Sequence, residues 1–299
     1  MLPRGPGANP NASAISGNDN VSIKPLVKHI LSKELQLYFE RICSAILDEA
    51  NDEYRSAAYA SLRSDPGLHQ LVPYFVQFVN EKVTHNLKSL FVLYQMLHLL
   101  SALLDNPSLY IDPYVASLIP PALTCLIGKH LGNTAADGPH AHFALRDLAA
   151  SLLSSIAKTF GASTSTLRPR LARSCLKAFL DSHKPFGSHY GAVLGLQGVA
   201  GTAGIRSLVL SNLKAYDLVL KQGLSDDQNK DQAQMVAQAL MRALESLEKD
   251  AVDSMNRHPD GQELKSRLVD TLGEVMGSKV FDTGRPTLVS AVLEKDVVL

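Results

Sequence analysis

The chain has 299 residues, 45% of them hydrophobic and 19% charged, which is enough to bury a large core or a row of stacked units. Lysine plus arginine equals aspartate plus glutamate at 29 each, so no overall field draws it to nucleic acid or to an acidic membrane, and any nucleic-acid contact has to be local. The three cysteines, Cys43, Cys125 and Cys175, are odd in number and widely spaced in apolar helical patterns, which argues against a disulfide framework or a zinc site and fits a reducing compartment.

Residues 1–22 hold Pro3, Pro6 and Pro10 among glycine, asparagine and serine, with little to bury, and are expected to be a disordered leader. No charged start followed by an apolar block is seen there, so no secretory signal is expected and the Asn-x-Ser matches at Asn11 and Asn20 are chance. Order is expected from Ile23. Apolar residues then recur at helical spacing to about residue 222, with Val27, Leu31, Leu35, Tyr38, Ile42 and Ile46 in one stripe and Leu145, Leu148, Ala149, Leu152, Leu153 and Ile156 in another. The most apolar run, Ser89 to Leu104, is shorter than the roughly 20 residues of a membrane span and reads as a buried helix. Asp112-Pro113 and the Ser163 to Thr166 cluster are expected to cap helix starts, and Gly161 and Gly187 to end helices. His142 to Phe160 resembles the second helix of a HEAT unit, which implies that Arg146 and Asp147 bridge successive units; the alternative is a solvated pair. No run alternates long enough to predict a sheet.

Four prolines mark a period. Pro25, Pro73, Pro120 and Pro169 sit in similar apolar-then-amphipathic contexts 47 to 49 residues apart, and Ser211 occupies the equivalent place 42 residues further on. Two helices per interval of this length is the signature of HEAT or armadillo solenoids, with a proline near the start of each first helix. The expected fold is therefore an all-α HEAT-repeat solenoid of about five helix pairs over residues 23–222. After Gly223 the phase is lost. A polar break at Asp226 to Lys230, an amphipathic helix from Gln232 to Ala251, a loop with Pro259, and two further segments read as a divergent C-terminal helical cap or tail over residues 223–299.

The stretch from Ser182 to Gly204 contradicts its surroundings. Gly191, Gly195 and Gly198 fall on one helical face, and three interior glycines cost about 3 kcal/mol relative to alanine. Such a face recovers the loss by close packing against a neighbouring helix or a bound chain. The helix before it carries Arg170, Arg173 and Lys177 on one side, continued by Lys184; this is a solvated face, an acidic partner's surface or a weak contact to DNA phosphates. Chemistry has no comparable support. The glycines at 198, 201 and 204 lack the strand, helix and acid of a dinucleotide loop. His140 and His142 have the wrong spacing for a metal pair on one helix face, and Cys175, paired in sequence with His183, lies on an apolar side. No catalytic residue, cofactor, metal or small-molecule substrate is expected.

IKPLVKHILSKELQLYFERI at Ile23 to Ile42, and SHYGAVLGLQGVAG with IRSLVLSNLKAY at Ser188 to Tyr216, closely resemble the C-terminal HEAT-repeat domain of the TFIID subunit six family, over about residues 23–222. The resemblance implies a nuclear, non-catalytic scaffold acting with other TFIID subunits in assembly of the RNA polymerase II pre-initiation complex, and in some lineages with SAGA. It also implies a packing or docking role for Tyr190, Gly191, Gly195 and Leu196. Family members carry an N-terminal histone fold that residues 1–22 cannot hold, so a fragment or truncated form is expected. The candidate partner-binding residues are Arg170, Arg173, Lys177, Lys184, His189, Tyr190, Gly191 and Gly195. The alternative is a peptide-binding adaptor or transport solenoid.

Overall fold

The computed structural model describes residues 31–250 and 261–293. The expected leader, Pro25 and the loop around Pro259 lie outside these residues. Among the described residues every regular element is helical. They form five successive pairs: α1 (Lys33–Ile46) with α2 (Asp52–Ser64), α3 (Val72–His85) with α4 (Leu90–Leu104), α5 (Val115–Ile127) with α6 (Ala141–Phe160), α7 (Leu167–Leu180) with α8 (Phe186–Gly204), and α9 (Ser211–Ser225) with α10 (Lys230–Glu245).

Local chemistry sets many of these boundaries. Ser32, Asn51 and Ser89 accept from the amides of Leu35, Tyr54 and Val92, satisfying donors that the first turn leaves open. Pro73 lies in the first turn of α3, where its missing N–H costs nothing, and Gly161 follows the last residue of α6. Four expectations need correction. Pro120 and Pro121 lie inside α5 rather than near its start. Asp112 sits in a short 3-10 turn before α5 and caps nothing through its side chain. Thr166 precedes α7 without a side-chain cap. Gly187 is the second residue of α8, not a stop, because a Cβ there would come 2.8 Å from His142 Cε1 beneath the neighbouring helix.

The second helices form the backbone of the array. Helix α2 packs on α4, α4 on α6, α6 on α8 and α8 on α10, and the first helices cover one side of that row. Helix α10, which the sequence places beyond residue 222, therefore continues the row. The core is one continuous apolar body from Leu31 to Val292. Its centre of gravity is α8, which touches α5, α6, α7 and α10.

Phe186 to Ser225 is a helical run of 40 residues, long and apolar enough by length and composition alone to cross a bilayer. Its first part, α8, is packed between four helices as a core element is, and the run is not straight: Gly201 leaves helical geometry at φ 63°, ψ −160°, and a π turn at Ile205–Leu210 follows.

Beyond α10, three short helices, α11 (Gly261–Leu272), α12 (Glu274–Asp282) and α13 (Pro286–Leu293), pack on α9 and α10. Asp217 of α9 accepts from the amide of Val275 at 2.9 Å in the first turn of α12, so a carboxylate from one helix caps another. Lys221 bridges Asp217 at 2.9 Å and Glu274 at 2.6 Å. Gly273 takes φ 86° against the Asp217 side chain, where a Cβ would collide. Arg206 donates to the Ala291 carbonyl at 2.9 Å, and Arg285 engages Glu245 at 2.9 Å and Glu248.

Candidate functional site

The glycine-rich helix crosses the C-terminal end of α5, where a helix leaves carbonyls without partners. Arg146 of α6 fills that need. Its guanidinium, 1% exposed, donates to the carbonyls of Leu126 at 2.6 Å and Gly128 at 2.9 Å, and its Nε points to His142 Nδ1 at 3.3 Å. A buried cation without a carboxylate is costly, but here it sits at the negative end of a helix dipole with its fork occupied by carbonyls. Burial pulls Arg146 down to about 10, which leaves it charged at neutral pH. Burial, with the Arg146 and His140 charges adding to it, pulls His142 down to about 4, so its neutral ring presents a lone pair to Arg146.

The N-terminal turns of α8 complete the joint. Ser188 Oγ donates to the same Gly128 carbonyl at 3.0 Å. A Cβ on Gly191 would collide with the Leu126 carbonyl. One on Gly195 would lie 2.6 Å from Cys175 Sγ and 2.8 Å from Leu126 Cδ2, and one on Gly198 3.0 Å from Ser154 Cβ. Ser154 Oγ in turn donates to the Gly198 carbonyl at 2.9 Å. The glycine face is thus closed against α5, α6 and α7.

Two side chains of α8 then tie neighbouring pairs together. Tyr190, 1% exposed, donates to Asp147 Oδ1 at 2.7 Å and meets the Phe143 ring edge-on at 4.8 Å. Burial, then the Asp147 carboxylate, pushes its phenol up to about 12. Arg146 and Asp147 are therefore not a pair with each other. One caps α5 within its own unit while the other holds the next unit, so the bridging reading holds for Asp147 alone and Arg146 is not part of a solvated pair. His189, fully buried, bonds through Nε2 to the Asp181 carbonyl at 2.9 Å and through Nδ1 to the Tyr216 hydroxyl at 2.7 Å. A carbonyl only accepts, so Nε2 carries the proton and Tyr216 donates to Nδ1. Burial holds the His189 ring below its ordinary pKa, opposed by the Asp181 carbonyl and charge.

The eight candidate partner residues divide. Arg170, Arg173 and Lys177 are exposed along one side of α7, with Lys184 half-buried at its end. His189, Tyr190, Gly191 and Gly195 are buried, and the contacts they make are within the chain. Cys175 is sealed beneath Gly195, burial pushes its thiol up to about 12, and His183 is exposed, so the two do not form a nucleophile and its base. Among the described residues no three His, Cys, Asp or Glu side chains gather as metal ligands.

Residues 27–214 match the family model of the TAF6 C-terminal HEAT repeat domain. The chain belongs to the TAF6 C-terminal HEAT repeat family. A relative from Schizosaccharomyces pombe, the SAGA complex/transcription factor TFIID complex subunit Taf6, is 45% identical over 94% of this chain and 62% of its own length. The Arabidopsis thaliana transcription initiation factor TFIID subunit 6 is 40% identical over 75% of this chain and 41% of its own. The chain thus spans less than two thirds of these relatives. The TAF6 C-terminal domain from Antonospora locustae superposes with a TM-score of 0.58 at 28% identity, covering 70% of this chain and 98% of that one. The TAF6 family match ends within α9, so α10 to α13 lie beyond it.

In this TAF6 HEAT chain the sequence reading missed the arginine seated on α5 and the carboxylate cap on α12. Asp217 gave no local sign, because its partner amide is 58 residues away. Arg146 offered one: it stands in an otherwise apolar stretch among Leu145, Ala149 and Leu153, which are buried.

Proposed function

We propose that this chain is a non-catalytic scaffold segment of a TFIID subunit in RNA polymerase II transcription initiation, shared with SAGA where that complex uses the same subunit, and resident in the nucleus. The observation that carries the reading is the 45% identity to the Schizosaccharomyces pombe subunit across 94% of this chain. A scaffold works by holding surfaces in fixed relation. The cross-unit bonds Tyr190–Asp147 and His189–Tyr216 do that here, and α10 carries the rigid row past residue 222 to Glu245 before the cap begins. Of the candidate residues, Arg170, Arg173 and Lys177 are the surface through which other subunits are met, and His189, Tyr190, Gly191 and Gly195 support it from beneath. DNA is met at most through weak backbone contacts, and neither a membrane nor a small-molecule substrate has a part.

The test is affinity purification of the tagged 299-residue chain from nuclear extract, followed by mass spectrometry. The scaffold reading expects other TFIID subunits in stoichiometric yield. Recovery of many unrelated proteins sharing a short linear motif, with no TFIID or SAGA subunits, would replace it with the peptide adaptor.

A further inference from the structure

Helix α7 has a side that its own fold does not explain. Arg170, Arg173, Lys177 and Leu180 are spaced three, four and three apart and so share one face over about 15 Å. All four are exposed, Leu180 at 48%. The sequence of α7, LRPRLARSCLKAFL, contains no acid, and none of the three cations makes an ion pair with a described residue. Arg170 lies near the positive end of the helix dipole, where a cation is unfavourable. Arg168 beside it is accounted for, since its Nε donates to the Ala157 carbonyl at 3.0 Å at the end of α6. The next acid along the chain, Asp181, accepts through Oδ1 from the His183 amide at 3.1 Å. Burial draws Lys184 below the ordinary lysine range, and Lys129, Lys177 and Arg146 add to this against Asp181, so these cations share one field. On the adjoining α9, joined to α7 through the Phe179–Tyr216 ring contact at 4.5 Å, Leu218 is 64% exposed.

We propose that the outer face of α7 docks an acidic, leucine-bearing helical segment of a partner protein. Arg170, Arg173 and Lys177 take its carboxylates, and Leu180 takes its apolar side. This rests on the scaffold reading and names the chemistry of what that scaffold holds. A protein segment fits better than nucleic acid for two reasons. Three cations over about two helical turns neutralise few phosphates, and an exposed leucine gains nothing from a phosphate backbone but buries well against another leucine.

The test uses the 299-residue chain and fluorescence anisotropy with three labelled probes: a helical Glu/Ala peptide with Leu at i, i+3 and i+4 spacing, the same peptide with Gln in place of Leu, and a duplex of about 20 base pairs. The leucine peptide is expected to bind at least about fivefold more tightly than its Gln counterpart and to weaken at salt above about 0.15 M. The triple variant Arg170→Glu, Arg173→Glu, Lys177→Glu should lose at least about tenfold, and Leu180→Gln should erase the difference between the two peptides. Both variants change exposed positions, and unchanged far-ultraviolet circular dichroism confirms the fold. Equal binding of both peptides, tighter binding of the duplex, indifference to the triple variant or no binding of the leucine peptide would each overturn the proposal. Purifying the same variants from nuclear extract separates the two readings. Triple-variant chain that still recovers TFIID subunits ends the α7 docking site and leaves the scaffold standing, whereas wild-type chain that recovers none ends the scaffold whatever the peptides do.

Discussion

Gly191 and Gly198 differ in what lies beneath them, and that difference makes the joint testable residue by residue. A methyl group at Gly191 would overlap the Leu126 carbonyl, which is backbone and cannot swing away, while one at Gly198 would meet Ser154 Cβ at 3.0 Å, where a small shift suffices. Gly191→Ala is expected to destabilise by about 3 kcal/mol or more and Gly198→Ala by about 1 kcal/mol or less, because the helix propensity gained offsets mild overpacking. Urea titration of each variant measures both. Arg146→Met takes the side-chain donor from the buried Leu126 carbonyl and leaves the Gly128 carbonyl to Ser188 alone, and a loss of about 3 kcal/mol is expected. The histidines add a pH dependence. His142 and His189 are held below their unfolded pKa, so the unfolded chain binds protons first as the solution is acidified. Their contribution is therefore intact above about pH 6.5 and is lost as pH falls below it, for His142 down to about 4. His142→Gln should flatten part of that slope in thermal melts between those limits, whereas an unchanged slope would mean that the buried ring does not titrate.

At the scale of elements, the docking of α11 to α13 turns on Asp217. Burial raises its carboxyl, but Lys221 and the Val275 and Glu274 amides lower it further, so the group ends below the ordinary carboxylate range. Stability from this contact is present above the unfolded aspartate pKa, near 4, and is lost as pH falls through the lower folded value. Asp217→Asn should cost about 1 to 3 kcal/mol and speed hydrogen exchange in α12 before α4 or α6 is affected. Equal exchange across all helices would place the cap inside one cooperative unit with the row. The helices themselves could be read from the sequence, because stripes such as Leu145 to Ile156 repeat at 3.6 residues and bury as that period demands. What failed was assignment by single residues. Gly187 looked like a stop because the His142 and Arg146 side chains that need its bareness come from another element, and Asp112 looked like a cap although its backbone had already entered a 3-10 turn. Short-range chemistry is legible in a sequence, and contacts between distant elements are not.

For the whole molecule, the spacing of Pro73, Pro120 and Pro169 foretold five stacked pairs, yet Pro120 reports a repeat length and not a repeat position, since it lies within α5. Helix α10 departs from the proline phase but keeps its apolar side, with Val236, Leu240, Ala243 and Leu244 all buried, and packs on α8. The candidate site was half legible. Its exposed cations follow from helical spacing alone, while the burial of His189 and Tyr190 depends on Tyr216 and Asp147, which no local pattern connects to them. One division runs through the whole account, with the glycine-lined helix as an internal joint and the preceding helix as the outward surface. Hydrogen exchange of the chain alone and of the chain purified with its complex measures that division directly. Amides of Phe186 to Val199 should be equally protected in both states, with new protection on assembly appearing over Arg170 to Leu180. New protection confined to Phe186 to Val199, with α7 unchanged, would contradict it.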